Sequence, residues 1–430
     1  MKDQRRWVRV ASAAVVISGL VGACGSSGKT ASNTTTTAPS TAPSTATSPT
    51  SASSGTGSGA ANSSLSPVTV GWVANDAGTL AQPGSTDAAL AATKYINAEL
   101  GGINGHPMKL ETCSVGLDSA SNQQCGQKFA NDSSVQMAVE GPVFNASAFY
   151  SAMTPSNKPI VGTVAISEAD LTSSAFIWSS GQTVNSAYGL LAKKIIPNLS
   201  SVGVIELEGT TAAPALFYLK QGLGPSVKVN SVSISPTSSD LTGAINQLGK
   251  VQLYVLSVTG PIQLEAATAI QSFNPGTPVI TTQDLGLTAL QQPSATNNWY
   301  FVDTQKAAAQ GSTDPDITTF LAQYPKYGDA TKYLHDPWAS ADWGLILTVQ
   351  SILSKVGASN LSASSITSAL KAFTGPVVMG PQSVSCPGTV YASLCTGVAF
   401  AYQVKNGQTF QYAPLPQIDV APLNLKPVSS

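Results

Sequence analysis

The order of its apolar segments constrains this chain more than any other feature. From Val68 onward, short apolar runs alternate with longer segments whose apolar residues recur at the spacing of a helix. In the first such segment Ala88, Ala91, Ala92 and Tyr95 fall on one face of a predicted helix. This alternation of strand and helix is typical of parallel βαβ units.

The alternation occurs as two consecutive series, each long enough for its own sheet. Strands are predicted at 68–73, 108–115, 135–141, 159–165, 202–207, 229–235, 251–258 and 278–282. Three helices are expected within 314–373, and Asn406-Gly407 between two apolar runs predicts a closing hairpin. We therefore expect an α/β protein with two doubly wound parallel-sheet lobes.

The N-terminal region predicts export and anchoring. Four basic residues among the first nine precede an apolar run, 10–23, that is too short to span a bilayer comfortably. Cys24 follows small residues, where a bacterial lipobox places its lipidated cysteine. We expect a signal peptide over 1–23 and a lipid anchor at the extracytoplasmic face of the cell membrane, with simple secretion as the alternative. Residues 24–66, rich in Ser, Thr, Pro and Ala, predict a disordered tether.

The other four cysteines form two pairs that are close in sequence, Cys113 with Cys125 and Cys386 with Cys395. In an oxidising compartment this arrangement favours two disulfides. The alternative is a metal site, but neither pair has C-x-x-C spacing and the two histidines lie in separate predicted loops. No bound metal is expected.

Composition and motifs argue against several classes of function. Charged residues make up 10% of the chain, its net charge is -1, and the basic residues are scattered, so a nucleic-acid partner is not expected. No phosphate-binding loop, nucleophile elbow or dinucleotide fingerprint is present. Glu206 and Glu208 come from one short segment, whereas glycosidase carboxylates flank the scissile bond from two sides, so we expect a solvated strand end. No catalytic residue and no cofactor are predicted; a secreted α/β hydrolase is the alternative from another class.

One segment carries most of a family resemblance. Residues 95–110, YINAELGGINGHPMKL, look like the first helix, glycine turn and second strand of the type I periplasmic binding proteins of the leucine/isoleucine/valine-binding family. The segments 139–147, 158–163 and 338–353 are also similar to that family. Its members deliver ligands to ABC importers.

The resemblance implies a three-segment hinge that closes two lobes around a ligand. One lobe is expected at 67–182 plus 312–374 and the other at 183–311 plus 375–430. The ligand would be a small polar or amphipathic molecule, such as an amino acid or a related amide or acid. The ABC permease and ATPase would be separate chains. A sensory or receptor lipoprotein of the same fold is the alternative.

Candidate ligand contacts follow from the strand ends, because open parallel sheets bind ligands beyond the carboxyl ends of their strands. The candidates are Trp72, Gln82, Phe144, Asn145, Ala165, Ser167, Thr211 and Asp284. The resemblance implies that the groups after the third and fourth strands bind a carboxylate and an amino group, and that Asp284 binds an ammonium. Each candidate also has a structural alternative: Trp72 as core, Asn145 as a helix cap and Asp284 as a turn residue.

Two departures from the family's pattern affect the expected ligand. Phe144-Asn145 stands where a serine pair is common, and Thr210-Thr211-Ala212-Ala213 lacks the usual tyrosine. Both changes argue against an amino acid as the ligand without arguing against the cleft.

The lipidation prediction is tested by Cys24→Ser. The variant cannot form the thioether, so we expect it to move from the membrane fraction to the soluble fraction of cells and to lose labelling by a fatty-acid analogue. Ser26→Ala in the same tether is the control and should stay membrane-bound. Retention of Cys24→Ser on the membrane would contradict the predicted anchor.

Overall fold

The computed structural model describes residues 59–428 apart from 79, 209–211, 236 and 259. The side chains of 212 and 213 are also outside the description. The predicted signal peptide, Cys24 and most of the tether fall outside the described residues. None of the described helices is long and apolar enough to cross a membrane.

The first sheet is fully parallel, with the order β2-β1-β3-β4-β5. Its strands are β1 (Val68–Ala74), β2 (Met108–Ser114), β3 (Val135–Glu140), β4 (Ile160–Gly162) and β5 (Phe176–Ile177). The helices between them are α1 (Pro83–Glu99), α2 (Ser119–Asn131), α3 (Ser147–Met153) and α4 (Glu168–Thr172). Strand β1 is buried along its whole length, as expected for a central strand covered on both faces.

The second sheet repeats this order and then adds antiparallel strands. Its parallel part is β7-β6-β8-β9-β10, and β11 joins β10 in the opposite direction. The strands are β6 (Ser201–Leu207), β7 (Lys228–Ile234), β8 (Leu253–Ser257), β9 (Val279–Thr281), β10 (Tyr300–Asp303), β11 (Val398–Lys405), β12 (Gln408–Gln411) and β13 (Gln417–Asp419). The helices are α5 (Val184–Ile195), α6 (Ala212–Leu223), α7 (Thr242–Leu248), α8 (Gly260–Phe273) and α9 (Leu285–Gln291).

Four late helices pack on the first sheet. They are α10 (Pro315–Tyr327), α11 (Ala330–Tyr333), α12 (Pro337–Val356) and α13 (Ala363–Ala372). Alanines on the buried face of α1 let α12 approach closely, and Tyr95 stacks on Trp343 with ring centroids 5.4 Å apart. We call the first sheet with α1–α4 and α10–α13 the N-terminal lobe. The second sheet with α5–α9 is the C-terminal lobe.

Three chain segments cross between the lobes, at 178–183, 304–314 and 373–397. The Gln305 side-chain amide donates to the Trp178 carbonyl at 2.9 Å, which joins the first crossing to the second. The backbone N–H of Lys306 donates to the Met379 carbonyl at 2.6 Å, which joins the second to the third. The crossings therefore form one hydrogen-bonded hinge.

A buried lysine lies in this hinge. The Lys306 ammonium is 2.8 Å from Asp314 and 2.8 Å from Asp316, and its side chain is 7% exposed. Asp316 also accepts a hydrogen bond from the backbone of Met379 at 3.3 Å. The ion pairs therefore hold the start of α10 against two of the three crossings.

Both predicted disulfides are present. Cys113–Cys125 links β2 to α2 with Cα atoms 5.6 Å apart, and Cys386–Cys395 closes a loop in the third crossing with Cα atoms 4.6 Å apart. The Cys395 N–H donates to the Ile177 carbonyl at 2.9 Å, so this loop extends the edge of the first sheet. The disulfide thus fixes a hinge segment that has little regular structure of its own.

The observed elements follow the predicted series, including the hairpin, whose turn residues Asn406 and Gly407 have φ values of 50° and 78°. Six elements were not predicted from the sequence: α4, α9, α11, β5, β10 and β13. Helix α11 makes four helices within 314–373, where three were expected. Strands β5 and β10 span two and four residues, too short to show an alternating pattern. Helix α4 has a capping box, Ser167 with Asp170, that is visible in the sequence.

Removal of the buried lysine should destabilise the fold. Lys306→Met leaves Asp314 and Asp316 facing each other without a cation, so we expect the free energy of unfolding to fall by about 1–3 kcal/mol, a value reduced for the partial exposure of both carboxylates. Urea denaturation followed by circular dichroism measures the change.

Lys332→Met is the matched control. Its ammonium is 2.9 Å from Asp329, but its side chain is 67% exposed. Solvent screens such a pair, so its loss should leave the free energy of unfolding essentially unchanged. Equal destabilisation by the two substitutions would show that the hinge ion pairs have no special role.

Candidate functional site

A cavity of about 250 Å³ lies between the lobes, at the carboxyl ends of both sheets. Both lobes and the crossings contribute to its walls. Its lining residues are Gln82, Phe144, Val164, Ala165, Ile166, Gly181, Gln182, Val184, Asn185, Tyr188, Glu206, Leu207, Ala215, Ser257, Val258, Thr282, Gln283, Asp284, Val302, Thr304 and Trp338. We call it the interlobe cavity. A mostly apolar wall with a few polar groups is typical of small-molecule sites.

Half of the predicted ligand contacts line this cavity. Gln82, Phe144 and Ala165 line it from the N-terminal lobe, and Asp284 lines it from the C-terminal lobe. Thr211 lies outside the described residues, so its predicted role stays a prediction.

The remaining predicted contacts, Trp72, Asn145 and Ser167, are not among the lining residues. Trp72 is fully buried, and its indole N–H donates to Thr86 at 2.8 Å. The Asn145 amide donates to the Leu117 carbonyl at 2.9 Å. Ser167 caps α4. The geometry of the cavity therefore gives no support to these three as ligand contacts.

Asp284 begins α9 without capping it through its side chain. Its carboxylate faces the cavity, and burial raises its pKa to about 6. Trp338 of α12 lies on the opposite lobe, and its indole N–H, directed toward Asp284, lowers the pKa of this carboxyl. The same indole N–H has no hydrogen-bond partner of normal geometry among the described residues. An acid and an indole donor thus meet across the cleft.

Glu206 and Glu208 differ sharply in environment. Glu208 is exposed, as expected for a solvated strand end. That expectation is wrong for Glu206, which is 6% exposed and lines the cavity. Its Oε1 accepts a hydrogen bond from Ser233 at 3.4 Å, and its Oε2 has no partner among the described residues. The sequence signal was its position inside β6, one residue before the strand's last.

Further buried acids lie close to cavity-lining positions. Asp303 at the end of β10, Asp336 at the start of α12 and Asp342 within α12 are each at most 5% exposed. Burial, with a smaller contribution from the charges of neighbouring acids, raises the pKa of each to about 7. None of the three has an ion-pair partner within 4.0 Å in the described part of the chain. With these pKa values the three acids are partly ionised at neutral pH and add partial negative charge to the region around the cavity.

The N-terminus of α1 stabilises the negative charge of one of these acids, Asp336. Gly84 lies against Asp336, and a Cβ at that position would collide with the carboxylate. The partial positive charge of a helix N-terminus stabilises a nearby carboxylate. Glycine is thus needed for the close approach between α1 and Asp336.

A carboxyl pair lies behind the end of β4. Glu140 and Asp170 are each 1% exposed, and Tyr150 donates a short hydrogen bond to Glu140. Burial and the charge of Asp170 raise the pKa of Glu140 well above its usual range. One oxygen of Asp170 accepts hydrogen bonds from the backbone N–H groups of Ile166 and Ser167, both at 2.7 Å. These two amides are therefore already occupied by a carboxylate of the protein itself.

Among the described residues, no group of three or more His, Cys, Asp or Glu side chains has a geometry that could hold a metal ion.

The model of the periplasmic binding protein family matches residues 67–408. The chain belongs to this family. No curated protein matches it. The extracytoplasmic setting of periplasmic binding proteins agrees with the two disulfides.

Solved periplasmic binding proteins share the fold at low identity. A fatty acid ABC transporter substrate-binding protein from Thermomonospora curvata has a TM-score of 0.69 and 16% identity, covering 87% of this chain and 97% of that one. A branched-chain amino acid transporter substrate-binding protein from Streptococcus pneumoniae, in complex with isoleucine, has a TM-score of 0.64 and 15% identity, covering 80% and 97%. A solute-binding protein from R. palustris, in complex with 4-hydroxybenzoate, has a TM-score of 0.63 and 16% identity, covering 82% and 97%.

The buried acids predict that the protein is more stable at pH 5 than at pH 8. Asp303, Asp336 and Asp342 have folded pKa values of about 7, above the unfolded value of about 3.9. The folded state therefore binds more protons between these values, and the free energy of unfolding falls as pH rises from about 4 to about 7. Burial lowers the pKa of His335, so this residue makes the free energy of unfolding rise with pH, but it is one group against three acids. Calorimetric melting temperatures across this range provide the measurement.

Asp342→Asn isolates one of these groups. The amide cannot ionise, so the variant should be more stable than the parent protein at pH 8. The decrease in its free energy of unfolding between pH 5 and pH 8 should be smaller than the parent's by roughly 1–3 kcal/mol. Glu265→Gln on the exposed face of α8 is the control and should leave the pH profile unchanged. A profile of Asp342→Asn that matches the parent would contradict the assignment.

Proposed function

We propose that this chain is an extracytoplasmic solute-binding protein that captures a small molecule in the interlobe cavity and delivers it to an ABC importer. The observation that carries the proposal is the cavity itself, which lies at the carboxyl ends of two parallel sheets and is lined from both lobes. In doubly wound sheets ligands bind at this position, where the strand order reverses. Here the reversal falls at β1 and β3 in one lobe and at β6 and β8 in the other.

The hinge supports a closing motion. Three crossings with boundaries near 182, 312 and 374 would let lobes of 67–182 plus 312–374 and 183–311 plus 375–430 rotate about a short axis. The crossings are tied to one another by Gln305 and Lys306, so they would move as a unit. Closure would desolvate the ligand between residues such as Trp338 and Asp284.

Two of the structural neighbours are complexes with isoleucine and 4-hydroxybenzoate, and the third is a fatty acid ABC transporter substrate-binding protein. Isoleucine, 4-hydroxybenzoate and fatty acids are small molecules with an apolar part and a polar end, and a cavity of about 250 Å³ with apolar walls suits that size. We infer a small polar or amphipathic solute for this chain, with no chemical step performed on it. The permease and ATPase would be separate chains, and Cys24 would carry the lipid that retains the protein at the membrane.

Ligand capture is tested by a thermal-shift screen of small solutes, with a cavity-filling variant. A ligand at 100 times its Kd should stabilise the parent protein by roughly 2.7 kcal/mol. Asn185→Trp places a large side chain in the cavity from α5, and it should abolish the stabilisation while circular dichroism stays native.

Lys193→Trp, on an exposed position of the same helix, is the control and should bind as the parent does. Small-angle scattering with the stabilising solute should show a smaller radius of gyration. A solute that binds Asn185→Trp and the parent equally would place the site elsewhere and overturn the proposal.

A further inference from the structure

The charge on the cavity wall points to the chemistry of the solute. Glu206 and Asp284 are the charged residues among the described lining residues, and neither Lys, Arg nor His is present there. Both carboxylates belong to the C-terminal lobe, where β6 and the start of α9 position them. A ligand in this cavity therefore meets negative charge without a compensating cation.

Glu206 is incompletely satisfied in a way that a ligand would correct. Its Oε2 is buried without a hydrogen-bond partner in the described part of the chain, and the residue is 6% exposed. Lys220 influences it electrostatically, but no ion pair within 4.0 Å joins the two. An unpaired buried carboxylate oxygen is costly, and a cationic donor from the ligand would offset that cost.

The N-terminal lobe is poorly equipped to receive a carboxylate. The resemblance places the ligand's carboxylate and amino groups against backbone and hydroxyls after the third and fourth strands, but after the fourth strand the N–H groups of Ile166 and Ser167 both donate to Asp170 at 2.7 Å. Asp303 and Asp336 are buried nearby and add further negative charge in the fraction of molecules in which they are ionised. These acids would repel a carboxylate carried by the ligand.

The remaining wall suits the apolar part of a cation. Phe144 and Trp338 line the N-terminal side of the cavity and Tyr188 lines it from α5. Aromatic faces attract ammonium groups as well as hydrocarbon, most strongly when water is excluded.

We propose that the solute is an organic cation without a free carboxylate, such as an alkyl amine or diamine, whose charged group is held by Glu206 and Asp284. This inference rests on the proposed function of the interlobe cavity. It assigns Glu206 a binding role and excludes the free amino acids and aromatic acids that the structural neighbours bind.

Titration calorimetry at pH 7.5 tests the inference with 1,4-diaminobutane, 1,5-diaminopentane and tetramethylammonium, compared with leucine and benzoate. At least one of the three cations should bind, and leucine and benzoate should not. Glu206→Gln and Asp284→Asn should each weaken binding by about tenfold or more, because each removes a charge-assisted contact. Glu208→Gln, two residues away and exposed, is the matched control and should change Kd by less than about twofold.

The outcomes separate this inference from the proposed function. Binding of leucine or benzoate with no binding of the cations would overturn the inference and leave solute capture intact. No binding of any of the three cations likewise overturns it, whatever other solute the thermal-shift screen identifies. Equal effects of Glu206→Gln and Glu208→Gln on cation binding would remove Glu206 from the site. Cation binding that Asn185→Trp does not weaken would refute both the inference and the cavity as the binding site.

Discussion

The ion pairs of Lys306 with Asp314 and Asp316 hold together the chain segments on which the position of the cavity depends. Lys306 lies in the second crossing and its backbone binds the third, while its ammonium is fixed to the start of α10. These contacts bring the second crossing, the third crossing and the start of α10 together at one point. Thr304, two residues before Lys306 in the second crossing, lines the cavity.

The buried acids around the interlobe cavity lower the stability of the fold. Asp303, Asp336 and Asp342 are buried without ion-pair partners, and each would be easier to accommodate as an amide or an apolar residue. Uncompensated carboxylates that cluster beside a cavity are typical of a site whose field acts on a ligand. The glycine at 84, which lets α1 approach Asp336, indicates that the local backbone is adapted to that charge.

Much of the fold could be predicted from the sequence, and four of the eight predicted ligand contacts line the cavity. The alternating apolar runs located most strands, and the strand-end rule located Gln82, Phe144, Ala165 and Asp284. The rule failed for Trp72, because a side chain within a fully buried strand contacts the core rather than the cleft. It also missed Glu206, which lies between Ser233 of β7 and Ser257 of β8. The lack of an ion-pair partner for Glu206 among the described residues is a tertiary property that no local pattern reports.

The C-terminal lobe is assembled from chain segments made at very different times. Strand β11 pairs with β10, although α10–α13, which belong to the other lobe, are synthesised between them. Until β11 emerges, β10 is an open sheet edge with unpaired backbone groups, and such edges promote aggregation. The segments of the N-terminal lobe are therefore all synthesised before the strand that closes the C-terminal lobe's sheet at β10.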